Sequence, residues 1–205
     1  MEDIKSLWYS ILSSLANYKR AGLLSDEEYE YYKQIKKEEV FAPDFKLPEV
    51  EYADYSKVEG TLTEDEIYDL FDPELYDSKA QQEKILTLTR ADLYHVLDAY
   101  NWDDGFELPK MLLKNKECDL ALAMEIFERG DGFGYVTKKY IDKQECGKYE
   151  LDWWAFGEQV YAELLAGKYP LDDTPLKLSF AYKIVLAKNG IINFLNEDIV
   201  PILKK

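Results

Sequence analysis

The sequence predicts a mainly α fold: a compact helical domain with an amino-terminal antiparallel helical hairpin. Three observations predict it. Apolar residues recur at helical spacing in several segments, Ser or Thr precedes an acid by three residues where helices should begin, and glycines or prolines follow the apolar stretches. One or two short strands remain an alternative, within residues 132–141 and 191–203.

The hairpin is predicted by an apolar stripe followed by a turn and a cap. Residues 3–20 form the first helix, which Gly22 ends. Ser25 and Glu28 form a capping box, so a second helix should run over about 26–38. The stripe of the first helix consists of Ile4, Leu7, Trp8, Ile11, Leu12 and Leu15.

The next segment has no sustained periodicity. Residues 39–61 contain prolines, a glycine, acids and tyrosines, and they are predicted to be a linker or an extended arm over the domain surface. The chain is therefore divided into a hairpin at 1–38, this arm, and a helical domain at 62–205.

Within the helical domain, caps and breakers predict the elements in order. Thr63 and Glu66 open a helix that Asp72-Pro73 ends or restarts, and Thr89 caps a helix over 90–100. Further helices are expected over 109–115, from the cap Asp119 to Gly130, over 152–167, and from Thr174-Pro175 to Lys188.

The stretch AYNWDDGFELP, Ala99 to Pro109, is predicted to be a turn between two helices. Adjacent acids can accept backbone hydrogen bonds in such a turn, a glycine allows the chain to reverse, and the indole should be buried with its N–H on a carbonyl. The turn residues are Asn101, Trp102, Gly105 and Pro109, with the acids Asp103 and Asp104 between them.

Net charge limits the classes of partner. The chain carries 41 Asp and Glu against 25 Lys and Arg, for a formal charge of -16, and residues 51–110 hold 16 of these acids against 5 bases. Nucleic acid binding needs a positive face, so a basic protein is the expected partner and nucleic acid is not. Solvated helix faces are the alternative explanation of the acidic segment.

Location is inferred from the cysteines and the amino terminus. Cys118 and Cys146 are too few for a disulfide framework, Met1-Glu2-Asp3 lacks the positive charge of a signal peptide, and no run approaches the roughly 20 apolar residues that span a bilayer. We expect a cytoplasmic protein without membrane contact.

Enzymatic motifs are not found, and we predict no catalytic residue, no cofactor and no metal. His95 is the sole histidine and lies within a predicted helix, no glycine-rich phosphate loop occurs, and residues 131–142 lack EF-hand ligands. A carboxylate-based hydrolase and a loose cation site at Asp103, Asp104 and Glu107 remain alternatives.

Two resemblances add to these predictions. The hairpin over 7–37, with its Gly22-Leu23-Leu24-Ser25 turn, resembles the SHOCT helical module, which implies docking or self-association. The stretch NWDDGFELPKMLLKNKECDLALAMEIF resembles the core of the bacterial family called domain of unknown function 4274, over about 90–135 with an extension to 165 left open. That resemblance implies a helical bacterial domain of toxin–antitoxin or immunity neighbourhoods.

The functional prediction is a non-enzymatic, protein-binding immunity protein that neutralises a basic toxin. Its alternatives are an adaptor or self-associating regulator that uses the hairpin, and the hydrolase. Acids can steer a basic partner and tyrosines supply contact area with a polar tip. The predicted partner-binding residues are Asp103, Asp104, Glu107, Tyr52, Tyr55, Asp69 and Asp72.

Overall fold

The computed structural model describes residues 2–46, 57–76, 78–137, 147–171 and 178–191. These residues form ten α-helices and no strand, so the prediction of a mainly α fold is confirmed. The helices are α1 (Glu2–Arg20), α2 (Asp26–Val40), α3 (Glu64–Tyr68), α4 (Lys79–Leu86), α5 (Arg90–Ala99), α6 (Glu107–Leu112), α7 (Leu120–Arg129), α8 (Gly132–Thr137), α9 (Lys148–Leu165) and α10 (Phe180–Lys188).

The amino-terminal hairpin forms as its turn and cap predict. Gly22 adopts a φ of 74°, which a residue with a side chain rarely adopts, and this lets the N–H of Leu23 donate to the carbonyl of Tyr18. The Ser25 and Glu28 side chains each accept the other's backbone N–H, as in a capping box. Lys19 of α1 pairs with Asp26 of α2 at 2.8 Å.

The hairpin packs on the rest of the chain. Leu15, Tyr18 and Leu24 are buried and belong to the same apolar cluster as the later helices. The ring of Tyr18 lies 5.2 Å from that of Phe180, the first residue of α10. The inner face of the hairpin therefore contributes to the common core, while Tyr9, Tyr31 and other side chains of its outer face remain exposed.

The core is centred on α7, α9 and α10. Phe127, Phe156 and Ile184 are fully buried where these helices meet. Gly130, which follows α7, packs so closely on Phe156 that a Cβ built on it would lie 2.4 Å from the ring. The same glycine accepts a hydrogen bond from the indole of Trp153 at 3.1 Å.

A buried asparagine joins α4 to the segment after α6. The side-chain amide of Asn115 donates to the carbonyls of Ile85 and Leu88, at 2.7 and 3.1 Å, and its oxygen accepts from the N–H of Glu117. Carbonyls at the end of a helix have no partner within it, so this amide adds a buried side-chain donor at and just after the end of α4.

Asp92 of α5 fastens the end of the arm to the helical domain. Its carboxylate, on a residue only 1% exposed, accepts from the N–H and hydroxyl of Thr61, from the N–H of Leu62 and from the hydroxyl of its own helix cap Thr89. Beside it the Nε2 of His95 lies 2.8 Å from the carbonyl of Val58. Residues 58–62 thus lie against α5 through side-chain contacts.

The hydrogen bonds on Asp92 predict a dependence of stability on pH. Burial raises the pKa of this carboxyl, but the donors of Thr89, Thr61 and Leu62 outweigh burial, and the pKa in the folded protein is below the ordinary value. The stabilisation is therefore fully present above the unfolded pKa of about 3.9 and is lost as pH falls through the lower folded value.

We accordingly expect the difference in unfolding free energy between the native chain and Asp92→Asn to be constant from neutral pH to about pH 5 and to shrink at lower pH. Urea titrations at a series of pH values measure it. A difference that stays constant to the lowest pH at which both proteins fold would contradict the assigned role of the carboxylate.

Some elements differ from their predictions. Residues 132–137 of the segment 132–141, which was left open as a strand, are helical because Asp131 accepts the N–H of Gly134 and so begins a helix there. Residues 138–141 of that segment lie outside the described residues. The helix predicted over 109–115 spans Glu107–Leu112, with Pro109 in its first turn. Helix α10 begins at Phe180 with Ser179 as its cap. The predicted start at Thr174-Pro175 lies outside the described residues, as do residues 192–203 of the other open segment, 191–203.

No helix was predicted over the residues that form α4, although Ser78 caps this helix by accepting the N–H of Gln81. None of the helices in the described part of the chain has the length and apolar character needed to cross a bilayer.

Candidate functional site

The turn between α5 and α6 is a short 3-10 helix, Trp102–Asp104, flanked by Asn101 and Gly105. The side-chain oxygen of Asn101 accepts the N–H of Asp103 at 3.3 Å, and its amide donates to the carboxylate of Asp104 at 3.2 Å. Gly105 has a φ of 97°, a region that favours glycine. The hydroxyl of Tyr100 donates to the carbonyl of Gly105.

Two details of this turn differ from the prediction. The backbone hydrogen bond within the turn is accepted by Asn101, so the carboxylates of Asp103 and Asp104 remain at the surface, where both residues are exposed. The indole N–H of Trp102 was expected on a carbonyl, but it is buried without a hydrogen-bond partner among the described residues.

Aromatic side chains hold the turn against the core. The ring of Trp102 meets Tyr100 edge-on at 5.7 Å and Phe156 at 6.4 Å, and Phe106 stacks on Phe156 at 4.7 Å. Offset and edge-on arrangements of this kind add to the stability gained from burial alone. The backbone that carries Asp103 and Asp104 is therefore supported by aromatic residues that pack on the buried Phe156.

A cleft of about 630 Å³ lies on one side of the turn, between α4, α6 and the 3-10 turn Pro73–Leu75. We call it the acidic cleft because Asp104 and Glu107 line it, with Lys114 as its one lining base. Glu107 also pairs with Lys110 at 2.8 Å. Its lining residues are Pro73, Tyr76, Gln82, Leu86, Asp104, Glu107, Met111 and Lys114.

A second cleft, of about 440 Å³, lies on the other side of the turn, between the end of α7 and the start of α9. We call it the aromatic cleft because four rings line it. Asp103 lines this cleft, whereas its neighbour Asp104 lines the acidic one. The lining residues are Trp102, Asp103, Phe106, Arg129, Gly130, Asp131, Tyr149, Glu150 and Trp153.

The other residues predicted to bind a partner are distributed around the acidic cleft or fall outside the described residues. Asp72 accepts the N–H of Glu74 and so caps the 3-10 turn that borders the cleft. Burial raises the pKa of Tyr76 in the cleft, and the nearby carboxylates of Asp104 and Asp72 raise it further. Asp69 is exposed on the preceding 3-10 turn. Tyr52 and Tyr55 are not among the described residues.

Pro109, which was assigned to the turn, is buried in α6 and does not line either cleft. The sequence reasoning missed most of the cleft walls. Gln82 and Leu86 lie on a helix without a prediction, and Tyr149 and Glu150 come just before the predicted start at 152. A search for the cap Ser78 could have found α4, but no local signal connects these positions with the turn.

Possible metal ligands and the thiol of Cys118 bear on what chemistry this part of the molecule could support. The described residues contain no group of three or more His, Cys, Asp or Glu placed to hold a metal ion. Of the three acids considered as loose cation ligands, Asp103 lines the aromatic cleft, whereas Asp104 and Glu107 line the acidic cleft. Cys118 is buried, and burial raises the pKa of its thiol to about 12, so little thiolate forms at neutral pH.

A known protein family is similar to the part of the chain that contains the turn. No curated protein and no solved structure matches the chain. A family model described as "Domain of unknown function (DUF4274)" matches residues 89–165, the segment from the cap of α5 to the end of α9. The resemblance inferred from the NWDDG stretch is thereby confirmed, and the turn with all lining residues of the aromatic cleft lies within a region similar to DUF4274.

Proposed function

We propose that this protein is a cytoplasmic, immunity-type protein that binds a basic protein and blocks its active surface, without chemistry of its own. One observation carries the proposal: the turn between α5 and α6 presents Asp103 and Asp104 to two adjacent clefts, each of which also offers apolar contact surface. Carboxylates beside apolar surface suit the long side chains of a basic protein.

The distribution of charge supports the same proposal. Asp92 is the sole buried acid among the described Asp and Glu residues of segment 57–110, and every other one is exposed. Charges in water give little affinity individually, but together they raise the rate at which an oppositely charged partner associates. The segment thus provides a negative field around the two clefts.

Exposed apolar residues supply contact area next to the acids. Leu75 and Leu86 are 43% and 42% exposed near the acidic cleft, and Tyr68 is 55% exposed on α3. Interface cores are enriched in aromatic residues and poor in charge, whereas the rim is polar. We infer that these side chains contact the partner while the surrounding carboxylates pair with its lysines and arginines.

We expect the double variant Asp104→Asn, Glu107→Gln to weaken binding of a basic partner by about tenfold or more, because it removes two carboxylates from one cleft. The partner is sought by co-expressing the protein with the product of the adjacent gene and purifying the complex at low and high salt. Affinity is then measured by surface plasmon resonance at two salt concentrations.

The matched control is Glu27→Gln, Glu38→Gln, which changes the net charge equally but at exposed positions of α2. A cleft-specific site predicts that this control changes affinity by less than about threefold, through the long-range field alone. Equal effects of the two double variants, or a partner without a basic surface, would contradict the proposed site.

A second candidate function is self-association through the hairpin, as an adaptor or a regulator. The observation that favours it is exposed apolar surface on the hairpin, where Tyr9 of α1 is 69% exposed, Tyr31 of α2 is 62% exposed, and Phe41, which follows α2, is 49% exposed. Light scattering over a range of concentrations discriminates the two candidates. A dimer that Tyr9→Ser abolishes, without any co-purified basic protein, would favour the regulator.

A further inference from the structure

The walls of the aromatic cleft combine two kinds of group that attract cations. Trp102, Phe106, Tyr149 and Trp153 supply ring surfaces, and the rings of Phe106 and Tyr149 lie 5.9 Å apart. A cation over the face of an aromatic ring is attracted by its quadrupole, most strongly by indole. The cleft contains two of the four tryptophans of the chain.

Carboxylates line the same cleft. Asp103 is exposed on the turn, Glu150 lies in the first turn of α9, and Asp131 uses one oxygen to accept the N–H of Gly134. The one cation of the wall, Arg129, is neutralised by Glu125 at 2.7 Å and Asp98 at 2.9 Å. The aromatic cleft therefore presents a net negative charge to a ligand.

Tyr149 is the most exposed ring residue of the cleft wall, whereas Phe106 and Trp153 are only 5% and 8% exposed. The side chain of Tyr149 is half exposed, and its hydroxyl donates to the carbonyl of Trp102 at 3.4 Å, which joins α9 to the turn. Burial raises the pKa of this hydroxyl, and the charge of Asp103 raises it further, so the phenol remains neutral. Tyr149 and Asp103 both line the aromatic cleft. A ring and a carboxylate are thus presented in one cleft.

We propose that the aromatic cleft binds the guanidinium of an arginine side chain of the protein partner, with the plane of the group stacked on an aromatic ring and its N–H donors on Asp103 and Glu150. A planar guanidinium both stacks on rings and forms directed hydrogen bonds with carboxylates, whereas the ammonium of lysine is a compact, strongly hydrated charge. The source of the arginine rests on the proposed function, but the preference of the cleft for guanidinium does not.

The test uses the full chain without any partner. N-acetyl-arginine amide is titrated while the indole N–H resonances of the four tryptophans are followed by NMR. We expect saturable shifts at Trp102 and Trp153 and none at Trp8, which does not line the cleft. N-acetyl-citrulline amide, which has nearly the same shape and no charge, should give no saturable shift.

Two variants separate the contributions of charge and ring. Asp103→Asn and Tyr149→Leu should each weaken binding of the arginine probe by about two- to fivefold, the factor expected for one exposed ion pair or cation–π contact. Asp152→Asn is the matched control, because it removes an exposed acid of α9 that lines neither cleft, and it should change binding by less than either variant.

Each outcome decides the inference. It is overturned if the arginine probe gives no saturable shift, if citrulline binds equally, or if Asp103→Asn has no more effect than Asp152→Asn. Failure of the proposed function is a different result: the cleft would still bind the arginine probe, while no basic protein would co-purify with the chain.

Discussion

Replacing Phe156 by alanine should lower the free energy of unfolding by about 3–5 kcal/mol. This side chain is fully buried at the meeting point of the core and the turn. It stacks on Phe106, meets the edge of Trp102 and fills the space directly above Gly130. Removing the ring loses apolar burial and leaves a cavity that surrounding helices can close only in part.

Urea denaturation followed by circular dichroism measures the effect. Phe156→Leu should lose about 1–2 kcal/mol, because it retains most of the apolar volume but not the stacked geometry. Phe41, which is half exposed at the end of α2, provides a matched control, and Phe41→Ala should cost less than about 1 kcal/mol. Similar losses at Phe156 and Phe41 would contradict the packing described for the turn.

The Phe156 variant also tests the connection between core and clefts. Phe106 and Trp102 line the aromatic cleft and contact the ring of Phe156 directly. If the variant remains folded at low temperature, its affinity for the arginine probe should fall along with stability, whereas Phe41→Ala should leave that affinity unchanged. The turn would then depend on the core for its shape.

Replacing Asp92 by alanine should cost about 3–4 kcal/mol at neutral pH. The carboxylate accepts hydrogen bonds from two backbone N–H groups of the arm and from the hydroxyls of Thr61 and Thr89. The variant leaves those donors without their acceptor in a place where the side chain was nearly inaccessible to water. Unmet donors cost more than the net value of the bonds that they had made.

Asp98→Ala is the control for the second prediction. Asp98 lies on the same helix and pairs with Arg129, but its side chain is largely exposed, so its loss should cost less than about 1 kcal/mol. The stability loss of Asp92→Asn should lie between those of Asp92→Ala and Asp98→Ala. The amide retains one acceptor oxygen, but it places an NH2 donor among the other donors. A smaller loss for Asp92→Ala than for Asp98→Ala would show that the arm is held by other contacts.

Much of the secondary structure could be predicted because its signals are local. Ser25 with Glu28 and Thr63 with Glu66 form the capping boxes expected from their three-residue spacing. Asp119 caps α7 as expected. In each case one side chain and one nearby N–H determine where the helix begins. The likeness of the hairpin to SHOCT modules stays a prediction.

Elements defined by distant contacts could not be predicted in the same way. Thr89 was recognised as a cap, but its reciprocal partner Asp92 also accepts from Thr61 and Leu62, about thirty positions earlier. Nothing in the local spacing of the arm signals this attachment. Asn115 was likewise predicted only as the last residue of a helix, and its spacing does not signal that its amide donates to the carbonyls of Ile85 and Leu88.

The sequence by itself determined the helical class, the acidic surface and the position of the turn, because helix periodicity, caps and charge depend on neighbours along the chain. Only the tertiary structure decided that Asp103 and Asp104, adjacent in the chain, line different clefts, since the opposite walls come from α4 on one side and α9 on the other. The cleft walls come together because helices bury their apolar faces against one another. Apolar faces in a single sequence show that helices associate, but they do not show which helices become neighbours.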